Sequence, residues 1–387
     1  MHLIRLGGIS LNQTPLDWDG NRHRIRSALS TARERELSIV CLPELCISGY
    51  GCEDMFQSPG VLRTSWEVLQ EILPDTRGLI VSLGLPVRFE SAIFDAVAVV
   101  VDGNILGLVP KQHLAGEGIH YEPRWFQPWP KGRRGQLSID GHQVPIGDLR
   151  FDCGGVRIGF EICEDAWVSD RTGAQLAARG VDVILNPSAS HFAFGKDDIR
   201  RRFVQEGSRA FGAAYVYTNL LGNEAGRAIY DGGVIIASEG KIIANGRRFS
   251  FADMSIAESV IDIDALRVTQ SKLSLALSSE NNSGECVVSQ CAPKVLSTHH
   301  AMTIVDSRDA WEHGDSVKEE EFTRAVALGL FDSLRKSGSN GFVVSISGGA
   351  DSAAVACLVA LSIQLSIQEL SRDEVVFRLG MTHLADD

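Results

Sequence analysis

The sequence predicts an α/β protein in which stacked sheets are covered on the outside by helices. Residues 1–265 alternate short β-type runs with helical patterns, and several of the strands are apolar over most of their length. Strands of that kind are typical of sheets with both faces covered. A further helix–strand–glycine–helix pattern begins near residue 318, so we expect one large domain and part of a second one in the 387 residues.

The predicted strands of the first unit are short aliphatic runs bounded by turn residues. In chain order they are HLIRLGGI, SIVCLPE, LIVSLGLPV, AIFDAVAVVVDG, NILGLVP, VRIGFEIC, VDVILNP, AAYVYTN, GGVIIAS and KIIANG. Helical patterns lie between them at 22–36, 61–73, 170–180 and 197–212. This alternation predicts a layered α/β architecture.

Two further segments follow the first unit. Residues 266–317 are rich in Ser and Asn with little periodicity, so we predict a linker that drapes over the surface. Residues 318–387 begin with a helical pattern whose apolar residues recur every four positions from Phe322 to Leu334. FVVSIS then predicts a strand, GGADS a turn, AAVACLVALSIQ a helix, and VVFRLG the start of another strand.

Composition narrows the range of partners. The formal charge of −12 argues against a broad surface for nucleic acid or anionic membrane, because such surfaces need clustered Lys and Arg. We expect no signal peptide in MHLIRLGGISL and no apolar run long enough to span a bilayer. These two expectations together predict a cytoplasmic location. The eight cysteines lack the short paired spacings of a zinc site, so we predict no metal site from them and expect most thiols to be reduced.

Three residues that could carry chemistry follow predicted strands. Cys163 in EICEDAW follows the apolar strand VRIGF, where a sharp turn can expose a nucleophile. Glu44 follows SIVCL, and Lys111 follows NILGLV. A carboxylate and an ammonium beside a thiol supply a general base and a stabiliser of a developing oxyanion. Alternatively, the cysteine is a buried structural thiol and the two charged residues are solvated strand ends.

The motifs around these residues resemble a known family. PEL–SGY, VPK–HL and EICED–W occur in this order, and together they resemble the carbon–nitrogen hydrolase (nitrilase) superfamily over about residues 1–265. GEGIHYEPRWFQPW, EICEDAW and NPSASH are similar to the amidase domain of the glutamine-dependent NAD synthetase family. This resemblance implies a nitrilase-like α-β-β-α four-layer sandwich, with a linker at 266–317 and an incomplete Rossmann-like (adenine nucleotide alpha hydrolase-like) domain at 318–387.

The resemblance also implies roles for individual residues. Cys163 would be the nucleophile, Glu44 the general base and Lys111 the stabiliser of the tetrahedral intermediate. The glutamine pocket of the family carries over to a second set of residues, namely Glu117, Glu164, Ser190 and Lys196. Many relatives have another glutamate that orients the lysine, and both Glu117 and Glu122 lie in the insertion after Lys111. Either glutamate could orient Lys111, and each could equally be a salt-bridged loop residue.

The loop SISGGADS resembles the pyrophosphate loop of N-type ATP pyrophosphatases. It lacks the Lys and the spacing of GxxxxGK[ST], so an ordinary P-loop is not predicted. By the resemblance, the backbone N–H groups of Gly348 and Gly349 and the hydroxyls of Ser347 and Ser352 would bind the phosphates of ATP. Asp351 would lie near the loop or its Mg²⁺.

The two halves together imply a glutamine-hydrolysing ligase. Ammonia released from glutamine would amidate deamido-NAD after its activation by ATP, in a homo-oligomer, as is the habit of the family. Only 35 residues follow Ser352, so we expect the chain to be a fragment or a disrupted product that hydrolyses glutamine without making NAD. The alternatives are a stand-alone nitrilase-type amidase and a non-catalytic scaffold chain.

Overall fold

A computed structural model of the chain describes residues 1–224, 226, 228–273, 286–297 and 304–381. Its strands are β1 (Leu3–Leu11), β2 (Ile39–Cys41), β3 (Ile80–Phe89), β4 (Ala92–Val101), β5 (Asn104–Pro110), β6 (Arg134–Ile139), β7 (His142–Gly147), β8 (Arg150–Cys153), β9 (Val156–Phe160), β10 (Val183–Ser188), β11 (Ala214–Asn219), β12 (Leu221–Glu224), β13 (Ala228–Asp231), β14 (Val234–Ser238), β15 (Lys241–Asn245), β16 (Met254–Asp262), β17 (Cys286–Ser289) and β18 (Val305–Asp306).

The helices are α1 (Trp18–Glu34), α2 (Pro59–Ile72), α3 (Glu122–Trp125), α4 (Thr172–Ala178), α5 (Lys196–Phe211), α6 (Ile263–Lys272), α7 (Val317–Ser337), α8 (Ala350–Leu370) and α9 (Arg372–Arg378). Short 3₁₀ helices span Glu53–Gln57, Leu73–Thr76, Cys163–Ala166 and Ala310–His313. Helix α1 begins at Asp17, whose side chain accepts a hydrogen bond from the backbone N–H of Gly20, the usual role of Asp at an N-cap.

Two eight-stranded mixed sheets form the body of the protein. The first has the order β16-β1-β2-β3-β4-β5-β7-β6, and the second has the order β17-β8-β9-β10-β11-β14-β15-β18. The central strands β1, β2 and β3 run parallel, as do β9, β10 and β11. In each set, residues that follow the strands therefore gather at one edge of the sheet.

The apolar residues pack in layers. One cluster fills the space between the two sheets, joining residues such as Leu6 and Val99 of the first sheet to Ile158 and Val216 of the second. A second cluster lies between the first sheet and helices α1 and α2, and a third lies between the second sheet and helices α4 and α5. Helix, sheet, sheet and helix thus follow one another, and the predicted α/β four-layer sandwich is confirmed.

Every strand predicted within the first 265 residues is formed, but three expectations beyond them need correction. FVVSIS at 342–347 is not a strand, and VVFRLG lies mostly within helix α9 rather than in a strand. The described part of the predicted linker supplies edge strands to the second sheet, since β17 pairs with β8 and β18 with β15. The remaining linker residues, 274–285 and 298–303, lie outside the described part of the chain, as do residues 382–387.

Helix α8 is the most apolar of the described helices. By length and composition alone it could cross a membrane, contrary to the expectation that the chain contains no apolar run of that length. A single helix of this kind is weak evidence, because core helices of globular proteins meet the same criterion. Ile363 and Leu365 of α8 pack on the cluster formed by α7, which includes Leu328 and Phe331.

Helix α7 is attached to the sandwich by a buried polar contact. The carboxylate of Asp332 is fully buried and accepts hydrogen bonds from the side chain of Asn12, at 3.0 and 3.1 Å, and from the backbone N–H of Asn223, at 2.8 Å. Arg335 and Lys336 on the same helix form ion pairs with it. Because its partners come from three parts of the chain, Asp332 fixes the position of the helix.

We expect Asp332→Ala to lower the free energy of unfolding by about 3 kcal/mol, because the change leaves a buried cation uncompensated. Urea denaturation followed by circular dichroism measures the effect. Glu319→Ala, an exposed position on the same helix, is the matched control and should change the free energy of unfolding little. Equal values for the two variants would show that the Asp332 contact does not hold α7.

Candidate active site

Cys163 lies at the first residue of the 3₁₀ turn Cys163–Ala166, just after strand β9. Its φ of +43° is unusual for a residue with a Cβ atom, and such strain is typical of sharp turns that present a nucleophile. Two buried carboxylates hold the turn. Glu161 accepts hydrogen bonds from Tyr215, Gly173 and Arg171 at 2.5–2.7 Å.

The second carboxylate joins the cysteine turn to the segment that follows Lys111. Asp165 accepts hydrogen bonds from the backbone N–H of Ile162 at 3.0 Å, of Gln112 at 3.2 Å and of His113 at 2.8 Å. The nucleophile turn in the second sheet and the end of β5 in the first sheet are therefore fixed relative to each other by one side chain.

Glu44 lies in the turn that follows strand β2. Its carboxylate accepts a hydrogen bond from the backbone N–H of Ala189, at 2.8 Å, in the loop after β10. The turn passes close to Gly84 of the neighbouring strand, where an added Cβ would lie 2.3 Å from the backbone nitrogen of Leu45. Only glycine fits at that position without a backbone shift.

Lys111 follows strand β5 and is fully buried among carboxylates. Its Nζ lies 2.5 Å from Oε1 of Glu44 and 2.8 Å from Glu122, with Asp95 farther away at 3.9 Å. A buried ammonium is tolerated only when paired and hydrogen-bonded, as this one is. The structure thus brings Glu44 and Lys111 into direct contact, as their places at strand ends predicted.

The structure distinguishes between the two glutamates of the insertion. Glu122 begins helix α3 and turns back into the core, where it also accepts hydrogen bonds from Tyr50, at 2.6 Å, and from the backbone N–H of Ala115, at 2.8 Å. Glu117 lines the cavity above Cys163 instead. Glu122, and not Glu117, is therefore the glutamate that orients Lys111.

The charges in this cluster favour an ionised base beside a neutral thiol. Burial would raise the pKa of Glu44, but Lys111 and the hydrogen bonds outweigh burial and hold that pKa below its ordinary value. Burial opposes the charge on Lys111, yet Glu122 and Glu44 raise its pKa well above normal. Burial and then Glu44 raise the pKa of the Cys163 thiol well above normal. The thiol therefore needs a base to become a nucleophile, and Glu44 is the carboxylate that acts most strongly on its pKa.

A cavity of about 350 Å³ opens above the thiol. Its wall includes all four residues that the resemblance assigned to glutamine: Glu117, Glu164, Ser190 and Lys196. Burial and then Arg200 lower the pKa of Lys196 to about 8, and its Nζ lies 5.4 Å from the ring centre of Trp167. The cavity thus places an ammonium and two carboxylates above one cysteine.

A row of polar side chains that no sequence motif had joined lies along one side of this cavity. The Tyr50 hydroxyl donates to Glu122 and lies 3.0 Å from Nδ1 of His120. Nε2 of His120 lies 2.8 Å from Nδ1 of His191, and Nζ of Lys196 lies 3.2 Å from the same Nδ1. Burial is the main cause that lowers the pKa of His120 to about 3 and that of His191 to about 4. Both imidazoles are therefore neutral near pH 7. HYE and SASH in the quoted motifs contained them, but nothing in the spacing joined the two.

The glycine loop lies far along the chain at the start of helix α8. The hydroxyls of Ser347 and Ser352 are 3.1 Å apart, and Gly348 has a φ of +84°. Gly349 precedes the first helical residue and Asp351 lies in the first turn, so the loop does lead into a helix N-terminus. These residues are exposed or half-exposed on the surface of the described chain.

Within the described ranges, one group of three side chains has metal-ligand spacing, formed by Glu44, Asp95 and Glu122. The ammonium of Lys111 already lies among them. A divalent cation would have to displace it, so these carboxylates fit a lysine and not a metal.

Comparison with known proteins decides the family. The carbon–nitrogen hydrolase profile matches residues 5–265, about two thirds of the chain. The chain belongs to the carbon–nitrogen hydrolase family. This carbon–nitrogen hydrolase is also similar in fold to an amidase of the nitrilase superfamily from Nesterenkonia, with a TM-score of 0.54 and 19% identity over 68% of this chain and 93% of the amidase. At that identity the likeness shows the fold alone.

More similar relatives extend beyond the matched family region. A putative glutamine-dependent NAD(+) synthetase of Schizosaccharomyces pombe is 30% identical, covering 96% of this chain and 55% of the yeast protein. The enzyme of that name from Arabidopsis thaliana is 30% identical, covering 97% and 53%. The crystal structure of a glutamine-dependent NAD(+) synthetase from Cytophaga hutchinsonii has a TM-score of 0.80 and 39% identity, covering 99% and 55%. The carbon–nitrogen hydrolase chain spans about half the length of these relatives.

We expect the neutral histidine pair to destabilise the fold as the pH falls from 7 to 5.5. In the unfolded chain these histidines take up protons near the ordinary histidine pKa of about 6.5, whereas folded His120 and His191 resist protonation. Proton uptake as the pH falls therefore stabilises the unfolded state relative to the folded state. Urea denaturation at several pH values measures this loss. His120→Gln should reduce the loss over this pH range, and the exposed control His142→Gln should not. Identical pH dependence in both variants would contradict the assignment.

Proposed function

We propose that the chain hydrolyses the side-chain amide of glutamine through a thioester on Cys163. The observation that carries the proposal is a cavity that joins Cys163 to the charged wall of Glu164 and Lys196, while the buried Glu44–Lys111 pair acts electrostatically on the thiol. The thiol of Cys163, with a base in Glu44 and a cation in Lys111 beneath it, suits acyl transfer from an amide. Charges of both signs at the wall suit a substrate that is itself a zwitterion.

The chemical steps follow from the positions of the protons. Glu44 accepts the proton of the Cys163 thiol as the sulfur attacks the amide carbon, and a tetrahedral oxyanion forms. Glu44 then gives that proton to the leaving nitrogen, the C–N bond breaks, and ammonia departs from the thioester. In the second half, Glu44 takes a proton from water, whose oxygen attacks the thioester carbon. The C–S bond then breaks, and the thiolate recovers its proton as glutamate leaves.

Lys111 is suited to stabilise the oxyanion. An ammonium has three N–H donors, and two of them are directed at Glu44 and Glu122. Asp95, at 3.9 Å, is beyond hydrogen-bond distance, so one N–H remains for the substrate oxygen. The backbone N–H of Glu164, the residue after the nucleophile, is the second proposed donor. A loss of one such donor typically costs about 10²–10³-fold in rate.

The ends of glutamine match the charges of the cavity wall. In the proposal, Lys196 binds the α-carboxylate, while Glu164 and Glu117 bind the α-ammonium. The Ser190 hydroxyl, which accepts a hydrogen bond from Arg200 at 3.1 Å, has its own proton available for the substrate. A simple aliphatic amide would leave these charged groups without partners, which disfavours it as the substrate.

We further propose that the ammonia serves the ATP-dependent amidation of deamido-NAD to NAD. The relatives of 30–39% identity support this wider function, since each carries the name of a glutamine-dependent NAD(+) synthetase. Ser347, Gly348, Gly349, Asp351 and Ser352 would hold ATP at the start of α8, where free N–H groups and the helix dipole favour phosphate. Mg²⁺ would arrive with the nucleotide and neutralise its phosphates near Asp351. The cytoplasmic location and the homo-oligomer stay predictions.

We expect Cys163→Ala to abolish glutamine hydrolysis while the fold is kept, because the change removes the nucleophile and little volume. Glutamate release measured by a coupled assay gives the rate, and circular dichroism checks the fold. Cys153→Ala, another buried thiol at the end of the neighbouring strand β8, is the control and should retain activity. Normal turnover in the Cys163 variant, or labelling of another cysteine by a glutamine-like diazoketone, would remove Cys163 from the mechanism.

We expect Glu122→Gln to lower kcat about 10²-fold with little change in KM, because Lys111 loses the carboxylate that orients it and misplacement of a catalytic group costs about that much. Glu117→Gln should instead raise KM, since Glu117 lines the cavity without touching Lys111. Steady-state kinetics with glutamine compare the two variants. The distinction between the glutamates fails if both variants change only KM.

A further inference from the structure

Asp95 is the third acidic residue of the buried cluster around Lys111, and nothing in the proposed mechanism uses it. It lies in the middle of strand β4, and its side chain is 1% exposed. The residue is fixed closely to the site, because its backbone oxygen accepts a hydrogen bond from the N–H of Lys111 at 2.9 Å. Its carboxyl group lies beside those of Glu44 and Glu122, with one oxygen of each of the three groups within 4.8 Å of the others.

The count of charges requires at least one of the buried carboxyl groups to be neutral. Glu44, Asp95 and Glu122 bring three carboxyl groups together, with oxygens within 4.8 Å of one another, around the single ammonium of Lys111. Three ionised groups would leave two uncompensated charges in the core, which is prohibitively costly. The group with the poorest supply of donors is the one to hold a proton.

Asp95 is that group. Glu44 accepts hydrogen bonds from Lys111 and from the backbone of Ala189, and Glu122 accepts them from Lys111, Tyr50 and Ala115. Among the described residues, neither oxygen of Asp95 has an N–H or O–H donor within hydrogen-bond distance. A carboxylate in that position would be unsolvated, whereas a carboxylic acid has a donor of its own and an acceptor in Glu44.

We propose that Asp95 is a positioning residue, held as a neutral carboxylic acid whose O–H donates a hydrogen bond to Glu44. The inference rests on the proposed function, in which Glu44 is the general base. Glu44 then receives three donors, from Lys111, Ala189 and Asp95, which fix its carboxylate beside Cys163 and keep it ionised. The proton of Asp95 stays on Asp95 throughout, and the thiol proton moves only to Glu44 and back.

The electrostatic surroundings agree with this arrangement. The charged and titratable groups that face Asp95 are Glu44 from the turn after β2, Lys111 from the end of β5, and Glu122 from α3. Burial, and after it Glu44, raises the pKa of Asp95 well above its ordinary value. Lys111 opposes this shift, but its Nζ lies 3.9 Å from the Asp95 carboxyl group and donates its hydrogen bonds to Glu44 and Glu122 instead.

The kinetic test compares Asp95→Asn with Asp95→Ala. The amide of Asn keeps a donor for Glu44, so we expect glutaminase kcat within about threefold of wild type and an unchanged acid limb of kcat/KM. Asp95→Ala removes that donor, and the pKa of Glu44 rises because its charged form loses a hydrogen bond. The acid limb should move to higher pH by about one unit. A merely structural Asp95 would leave the pH profile of Asp95→Ala superimposed on wild type, which would overturn the proposal.

A spectroscopic test needs neither glutamine nor turnover. Infrared spectra of the full chain in deuterated buffer at neutral pH should contain the C=O band of a protonated carboxyl group that is lost in Asp95→Asn. Glu224→Gln is the control: burial raises the pKa of Glu224 to about 7, so it contributes a separate band, and the Asp95 band should persist in that variant. An Asp95→Asn spectrum without the loss would overturn the proposal. If Asp95→Asn loses the band but the wild-type chain has no glutaminase activity, Asp95 is protonated and the proposed function is refuted. This test does not depend on the folding of Asp95→Ala.

Discussion

The ammonium of Lys111 is the constraint on which the candidate site depends. A lysine with no exposed side-chain surface needs carboxylates at hydrogen-bond distance, and it has two, from the turn after β2 and from helix α3. To supply the second, the insertion after β5 must fold back so that Glu122 enters the core. Its backbone does so through the hydrogen bond from the N–H of Trp129 to the oxygen of Lys111 at 2.9 Å. The cavity above Cys163 is shaped by the same fold-back.

Polarity changes in steps from the bottom of the site to its mouth. The bottom holds the ammonium of Lys111 between the carboxylates of Glu44 and Glu122. The side holds the neutral imidazoles of His120 and His191, and the mouth holds Lys196 and Glu164, which are in partial contact with water. Neutral imidazoles separate the two charged regions without adding a charge of their own. A low local dielectric at the bottom strengthens the Lys111 contacts, while the mouth can exchange its charges with those of a substrate.

The sequence predicted those features that depend on local pattern. Strands rich in Val and Ile are visible one by one. Glu44, Lys111 and Cys163 could be grouped because each follows a predicted strand within a motif of the family, although the strands belong to two different sheets. The choice between Glu117 and Glu122 could not be made, since both lie in one insertion and only its folding back selects the second. Asp95 was missed because FDAVAVV reads as an ordinary strand.

Other misses have the same physical origin. Strands β17 and β18 pair through their backbones at sheet edges, so their side chains carry little periodic signal within a segment that looks like a linker. FVVSIS has strong β propensity, yet a strand needs a neighbour, and its Val343 is fully exposed in the structure. Propensity predicts what a segment can form, whereas the available partners determine what it does form.

Helix α7 belongs to the surroundings of the site as much as to the segment that follows it. Lys336 of α7 donates to the backbone oxygen of Asn223 at 2.8 Å, and the next residue, Glu224, accepts a hydrogen bond from the N–H of Gly51 at 2.6 Å. Gly51 follows Tyr50, whose hydroxyl donates to Glu122, the partner of Lys111. Short strand β12 and one loop residue therefore connect the docking of α7 to the ammonium at the bottom of the site. The residues along this path are buried or half-buried and packed against one another. The position of α7 and the orientation of Lys111 are therefore linked through one continuous core.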